Sequence, residues 1–285
     1  ADPQMLDAAR RARELGITPS AGQTVNSRTL QSLEGTLTAT PTQLDDLATA
    51  AMRTAGINAR RATPEALREA EAALGNQFDD VLRGVTATPS PTAAQRAMSV
   101  LDDYVQDAAG GAPIRRVGNV AREIMDAATS PSAARIDLET FKRWRTALGR
   151  LAVSDDPAVG RAAQGLRSII DDITDEALRA SGRAGDIARL ATVRQQWWNF
   201  LGIKDAASRA GQQTRLGRLS PENLRGSVSR TQGPDAISMG RGTDLANVAR
   251  TAETAIPSVP TVSAGGALVV FASGRNKSPV QTVAG

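Results

Sequence analysis

The chain has 285 residues, with 34 Lys+Arg against 30 Asp+Glu, 41% hydrophobic residues and only 3% aromatic ones. It contains no cysteine and no histidine, which excludes from it disulfides, zinc sites of the usual His/Cys kind, and Ser-His-Asp or Cys-His catalysis. Much of the apolar total is alanine, which favours helices and buries little area; few segments alternate with period two, so the expected fold is all-α, an elongated array of thin, closely approaching amphipathic helices joined by Pro/Gly-rich loops.

A first helix over 2–15 carries Arg10, Arg11 and Arg13 on its polar side and stops at Gly16. It lacks a charged stretch followed by an apolar one, so it does not read as a signal peptide. A turn-rich loop follows, then a short helix capped by Asn26 or Ser27 and carrying Leu30, Leu33 and Leu37. Pro41 begins another, with Leu44, Leu47 and Ala51. Thr63-Pro64-Glu65 combines a cap, a first-turn proline and a first-turn acid; the helix it starts carries Leu67, Ala70, Leu74, Phe78 and Val81 and ends near Gly84. Residues 86–91 are a Pro/Thr/Ser linker. A helix from about Thr92 holds Met98, Leu101, Tyr104 and Val105 and breaks at Gly110-Gly111-Ala112-Pro113. Val117 to Ala128 gives one more, closed by Ser130-Pro131.

Residues 137–201 form the strongest block. Apolar residues recur in steps of three and four as Leu138, Phe141, Trp144, Leu148, Leu151, then Val159, Ala162, Leu166, Ile169, Ile173, Ala177, then Ile187, Leu190, Val193, Trp197, Leu201. Asp156-Pro157 starts the middle helix, and Gly182 and Gly202 are placed to end the second and third. Trp144 and Trp197 lie on these stripes and are expected to pack against each other. Leu138, Phe141, Trp144, Leu166, Ile169, Ile173, Leu190 and Trp197 are the residues expected to make the helical packing and to serve oligomerisation.

After Gly202 the character changes. A helix extends or restarts over Ala206 to Gln213, Ser220-Pro221-Glu222 starts another, and Thr243 or Asp244 caps a short one through Leu245, Val248 and Ala249. Residues 254–274 carry no charge. These shifts divide the chain into an N-terminal helical segment (1–85), a central bundle (92–202), a basic helix-loop region (203–254) and a Gly/Pro-rich uncharged tail (255–285).

Charge is uneven. From Lys204 onward there are ten basic and five acidic residues, whereas residues 1–203 carry 24 and 25. Arg209, Arg215, Arg218, Arg225 and Arg230 are therefore candidates for non-specific contact with DNA phosphates, against the plainer reading of arginines on helix faces. Asp171, Asp172, Asp175 and Glu176 place like charges four apart on a helix; a divalent ion or basic partner would explain them, and so, more simply, would a solvated face. The uncharged tail matches a membrane span in length, but Pro257, Pro260, Gly265 and Gly266 interrupt it. Ala264, Gly265, Gly266, Leu268, Val269, Val270 and Phe271 are candidates for contact with a membrane or channel, or for packing on a neighbouring subunit. Gly240-Arg241-Gly242-Thr243-Asp244 meets neither the P-loop nor the dinucleotide pattern. No cofactor or small-molecule substrate is indicated.

Several stretches resemble, in order, a family of tailed-phage virion proteins. They are Leu15-Gly16-Ile17-Thr18-Pro19 with Gly22-Gln23 and Leu30-Gln31-Ser32-Leu33-Glu34, then Leu74-Gly75-Asn76-Gln77-Phe78-Asp79, then Gly217-Arg218-Leu219-Ser220-Pro221-Glu222-Asn223-Leu224, then Arg241-Gly242-Thr243-Asp244-Leu245, and last a Gly-rich apolar tail. The chain departs from the family at Val259-Pro260-Thr261-Val262. The family is similar to internal virion or ejection proteins. The resemblance implies a helical, homo-oligomeric, non-enzymatic protein stored in the capsid or on the portal axis and released with the genome, with the portal or other ejection proteins, DNA and host membrane as partners. A static head or portal-associated component is the alternative. A peptidoglycan-cleaving virion enzyme is the third reading, for which Glu34 and Glu139 are only nominal acids.

Overall fold

The computed structural model describes residues 3–19, 41–107, 113–129, 135–152, 154, 156–209, 216–233 and 243–256. These are α-helical, with ten helices and no strand among the described residues: α1 Pro3–Glu14, α2 Pro41–Thr54, α3 Pro64–Leu82, α4 Pro91–Asp107, α5 Pro113–Thr129, α6 Leu138–Ala152, α7 Pro157–Ala180, α8 Asp186–Ser208, α9 Pro221–Gln232 and α10 Asp244–Ala255. The fold class is all-α, as expected.

Local chemistry explains the starts. Thr63, Asp156, Ser220 and Thr243 each accept a backbone N–H of the first turn they cap, and the first three precede a proline at the first helical position. Gly16, Gly56, Gly84 and Gly182 follow helix ends with φ between 71° and 81°, a conformation costly for any residue with a Cβ.

The buried side chains form two cores. One is contiguous in sequence: residues 78–193 supply Phe78, Val81, Tyr104, Ile124, Phe141, Trp144, Leu166, Ile173 and Leu190 among others. The other joins two flanking segments, 12–74 and 200–256, around Leu47, Met52, Leu74, Phe200, Ile203, Leu224 and Leu245. Half of its 26 buried residues are alanine, against nine of 30 in the first core. Alanine therefore supplies much of the contact among α1, α2, α8, α9 and α10.

This grouping differs from the division read from the sequence. The N-terminal segment and the basic region share one core instead of standing apart. The expected boundary over 86–91 is not a free linker: Val85 and Ala87 are buried, and Ala87 exchanges backbone hydrogen bonds of 2.9 Å in both directions with Ile136. Two helices cross the boundary. α3 gives Leu67, Ala70 and Leu74 to the second core and Phe78, Val81 and Leu82 to the first; α8 gives Leu190 and Val193 to the first and Phe200, Ile203 and Ala206 to the second. Gly202 does not end α8, which runs on to Ser208. A Cβ at Gly202 would lie 2.9 Å from Leu245 Cδ2, so this glycine serves close packing against α10. The expected short helix carrying Leu30, Leu33 and Leu37 lies outside the described residues.

Candidate functional site

The apolar stripes of α6, α7 and α8 bring three arginines inside with them. Arg145 lies one turn past Phe141, Arg167 follows Leu166, and Arg194 lies one turn past Leu190. They are 8%, 2% and 8% exposed. Two of them lie on aromatic rings: the guanidinium carbon of Arg145 is 3.6 Å from the ring centre of Phe78, and that of Arg167 is 3.5 Å from Trp198. Stacking of this kind is favourable once both partners are dry.

Two carboxylates face the cluster. Arg194 donates from Nη1 to Asp175 Oδ1 at 2.7 Å, from Nη2 to the backbone oxygen of Asp171 at 2.8 Å, and also to Thr174 Oγ1. Its Nε is 2.9 Å from Asp171 Oδ1, a close ion pair outside hydrogen-bond alignment. Arg145 Nη1 stands 3.7 Å from the same oxygen. Arg145 Nη2 and all three guanidinium nitrogens of Arg167 have no hydrogen-bond partner. Three guanidiniums against two carboxylates leave the cluster with one positive charge in excess. Burial pushes Arg167 down to about 10, Arg194 adds to the push and Asp171 opposes it. Burial, followed by the charge of Arg167, pushes Arg145 well below the usual arginine range. A guanidinium keeps its proton at neutral pH, so the cluster holds three buried charges.

Arg145 also lines a cleft of about 300 Å³ between α3 and α6, with Trp197 of α8 at one side. Phe78, Leu138, Phe141 and Trp197 make it apolar. Asp79 and Lys142 make its other charged lining. Lys142 Nζ is 2.6 Å from Asp79 Oδ2 and 3.2 Å from Glu139 Oε1; the Asp79 hydrogen bond raises the Lys142 pKa above the ordinary lysine value. Asp79 Oδ1 is buried with no hydrogen-bond partner. Concave, mainly apolar walls with a few convergent polar groups are the usual make-up of a small-molecule site. Among the described residues no group of three or more acidic, His or Cys side chains is arranged to hold a metal ion.

The packing residues read from the sequence fall as follows. Phe141, Trp144, Leu166, Ile169, Ile173 and Leu190 are buried in the first core, and Leu138 is partly buried against it. Trp197 packs on the second core. Trp144 meets Phe141 edge-on with ring centres 6.2 Å apart, and Trp197 meets Phe200 at 5.7 Å, so each tryptophan has a different partner from the one expected. The basic-region arginines face carboxylates of their own chain: Arg209 and Arg230 bond Asp205 at 3.1 and 2.6 Å, Arg218 bonds Asp45 at 3.2 Å, and Arg225 bonds Glu253 at 2.6 Å. Arg215 lies outside the described residues, as do Ala264, Gly265, Gly266, Leu268, Val269, Val270 and Phe271. No helix among the described residues is long and apolar enough to cross a membrane.

The acidic cluster on α7 is not a uniformly solvated face. Asp171 and Asp175 pair inward with Arg194, and Asp172 pairs with Arg96 of α4 at 2.6 Å. Of the two nominal glycosidase acids, Glu139 is exposed in the first turn of α6 and Glu34 lies outside the described residues. Sequence reasoning missed the buried arginines. The signal was present: each has apolar neighbours three or four residues away on both sides, and Arg167 precedes Asp171 by four. Leu74-Gly75-Asn76-Gln77-Phe78-Asp79, noted for its family resemblance, supplies four residues of the cleft lining.

No protein-family model matches the chain, and comparison with curated proteins and with solved structures finds none that is similar.

Proposed function

We propose that the chain is a non-enzymatic, helical virion protein of a tailed phage, an internal or ejection protein held in the capsid or at the portal axis and delivered with the genome to help form a conduit across the host envelope. The observation that carries the reading is the ordered run of four resembling stretches; described residues of the first, third and fourth sit at turns and helix caps, and those of the second lie within α3. Gly16 turns the chain out of α1 at φ 81° and Ile17 is fully buried. Gly217 accepts the backbone N–H of Ala62 at 2.8 Å, and Ser220 and Thr243 cap α9 and α10. An alanine-rich helical body without disulfides can be unpacked and repacked without covalent rearrangement, which suits passage through a narrow portal. In this reading the chain associates with itself, with the portal or other ejection proteins, and non-specifically with DNA and host membrane, the apolar tail making the membrane or channel contact.

Quantitative mass spectrometry of purified virions before and after triggered genome release tests it. The protein is expected in intact particles and depleted after release. Retention would make it a static head component, and absence from both samples would remove the virion reading. Phage carrying Val269→Asp and Val270→Asp are expected to assemble particles and fail to deliver genomes; normal plating would end the role given to the tail.

A further inference from the structure

We infer that the groove between α5 and α6 binds the phosphate backbone of double-stranded DNA without regard to sequence, with Arg116 and Arg150 as the groups that hold phosphate. The groove has a volume of about 260 Å³, and Arg116, Asn119, Glu123, Arg143, Trp144 and Arg150 are among the residues that line it. Its three arginines are exposed to solvent. Glu123 is the one carboxylate in the lining, and its Oε2 accepts from Arg143 Nη2 and from Trp144 Nε1, both at 2.6 Å. Glu123 and Arg143 therefore meet at one end of the groove. Arg116 and Arg150 fall at the other, and neither guanidinium pairs with a carboxylate among the described residues. Arg115 and Arg122 are exposed on the α5 flank; Arg122 donates to Asn119 Oδ1 at 3.4 Å, which leaves the amide N–H groups of Asn119 as further donors. Asp126, one turn beyond Glu123, does not line the groove. The basic region differs: there Arg209 and Arg230, Arg218 and Arg225 are answered by Asp205, Asp45 and Glu253 of the same chain.

The lining also selects the partner. Unpaired guanidiniums favour an anion that accepts in their fork geometry, as phosphate does. Arg143 and Arg150 stand seven residues apart on α6, as do Arg115 and Arg122 on α5; each interval is about 10 Å along its helix, the rise of about three nucleotides in one strand of a duplex. The groove is smaller than an ordinary small-molecule pocket and suits a phosphodiester better than a whole ligand. Its aromatic, Trp144, is 1% exposed with its N–H taken by Glu123, so no base stacks there and the contact is with backbone alone. The large apolar residues exposed among the described ones are Leu6, Met98, Val105 and Leu216. None lies on α5 or α6, so this face lacks the apolar anchor of a helix that lies on a membrane. The inference rests on the DNA contact of the proposed function and on no other part of it, and moves that contact from the basic region to the central helices.

Fluorescence anisotropy of a labelled short duplex, titrated with the full chain over a series of salt concentrations, tests the site. The parent is expected to bind, with log affinity falling linearly against log salt. Arg116→Gln combined with Arg150→Gln is expected to weaken binding about ten-fold or more at low salt and to reduce that slope by about two. Arg179→Gln combined with Arg189→Gln removes the same charge from exposed positions of α7 and α8 outside the lining, and is expected to leave the slope unchanged. Asn119→Asp keeps every arginine, sets a carboxylate among them and is expected to weaken binding several-fold. Circular dichroism confirms the fold of each variant. Unchanged binding in the groove pair, or equal weakening in both pairs, would overturn the site and leave the DNA contact standing. No binding by the parent would overturn both, and neither result bears on the mass-spectrometric test of the virion reading. Polyglutamate that displaces the duplex at equal charge would give the groove to an acidic protein instead. Binding to phosphatidylglycerol vesicles that is lost in the groove pair would give it to a membrane surface; either result overturns the assignment to DNA.

Discussion

At the scale of single residues, two glycines have opposite meanings. Gly217 has φ 65°, and a Cβ on it would fall 2.6 Å from the backbone nitrogen of Thr63 and 2.9 Å from the carbonyl carbon of Ala62. Backbone cannot step aside as a side-chain tip can, so Gly217→Ala combines an unfavourable conformation with a clash and is expected to lower stability by about 3 kcal/mol. Gly75 sits in a helix with open space beside it, and Gly75→Ala is expected to raise stability by about 1 kcal/mol. Urea denaturation measures both; a gain at 217 or a loss at 75 would contradict the geometry. The arginine cluster obeys the same asymmetry between a surplus group and a needed one. Arg167→Met removes a buried charge with no hydrogen-bond partner and keeps a long apolar arm over Trp198, so it is expected to leave stability within about 1 kcal/mol of the parent or to raise it. Asp171→Ala strips the cluster of the carboxylate that two arginines share and is expected to cost about 3 kcal/mol. The two variants measured side by side separate the cases.

At the scale of elements, α8 decides whether the molecule behaves as one unit. Its first half packs in one core and its second half in the other, and Gln195 is an exposed residue of α8 between the buried positions of those halves. Gln195→Pro removes a helical hydrogen bond and is expected to cost about 3 kcal/mol or more. Peptide-resolved hydrogen exchange is then expected to show α9 and α10 opening at lower urea than α6 and α7, whereas in the parent all four open together. Simultaneous opening in the variant would mean that α3 alone couples the cores. The helices themselves were legible in sequence: Thr63-Pro64, Asp156-Pro157 and Ser220-Pro221 mark starts, and the stripe Leu67, Ala70, Leu74, Phe78, Val81 is the face α3 buries. Two kinds of information were not. Met98 and Val105 were named with Leu101 and Tyr104 as the large apolar residues of α4, yet they are 49% and 59% exposed while Ala93, Ala94, Ala97 and Tyr104 are buried. Alanine packs by letting backbones approach, and a pattern of large apolar residues does not register it. Gly202 was misread for the same reason, because a glycine at a close helix crossing and one at a helix end look alike along the chain. The buried arginines were passed over because charge was scored as surface, although their spacing on the apolar stripes gave them away.

At the scale of the whole molecule, the charge asymmetry along the chain is resolved by folding. The basic third returns onto the N-terminal helices, where Lys204 meets Glu71 at 2.7 Å and Arg218 meets Asp45 at 3.2 Å, and Asn199 donates to the backbone oxygen of Thr54 at 2.8 Å. The second core is thereby closed by segments more than a hundred residues apart, and its electrostatic anchors are Asp45 and Asp205. Burial raises the pKa of both carboxyls, but hydrogen bonds from Arg61 and Arg218 on Asp45, and from Arg230, Ser227 and Arg209 on Asp205, outweigh it and hold both below the ordinary aspartate value of 3.8. Each carboxyl therefore binds its proton less tightly in the folded chain than in the unfolded one, so the ionised form stabilises the fold. That stabilisation is complete above the unfolded value and is lost as pH falls through the depressed folded values. Urea titrations are expected to show stability level near pH 6 and falling steeply below about pH 4. Asp45→Asn combined with Asp205→Asn is expected to be less stable at pH 6 and to lose part of the acid slope, because the groups whose protonation differs between the two states are gone. An acid limb as steep in the double variant as in the parent would show that the ion pairs on Asp45 and Asp205 contribute nothing to holding the second core closed.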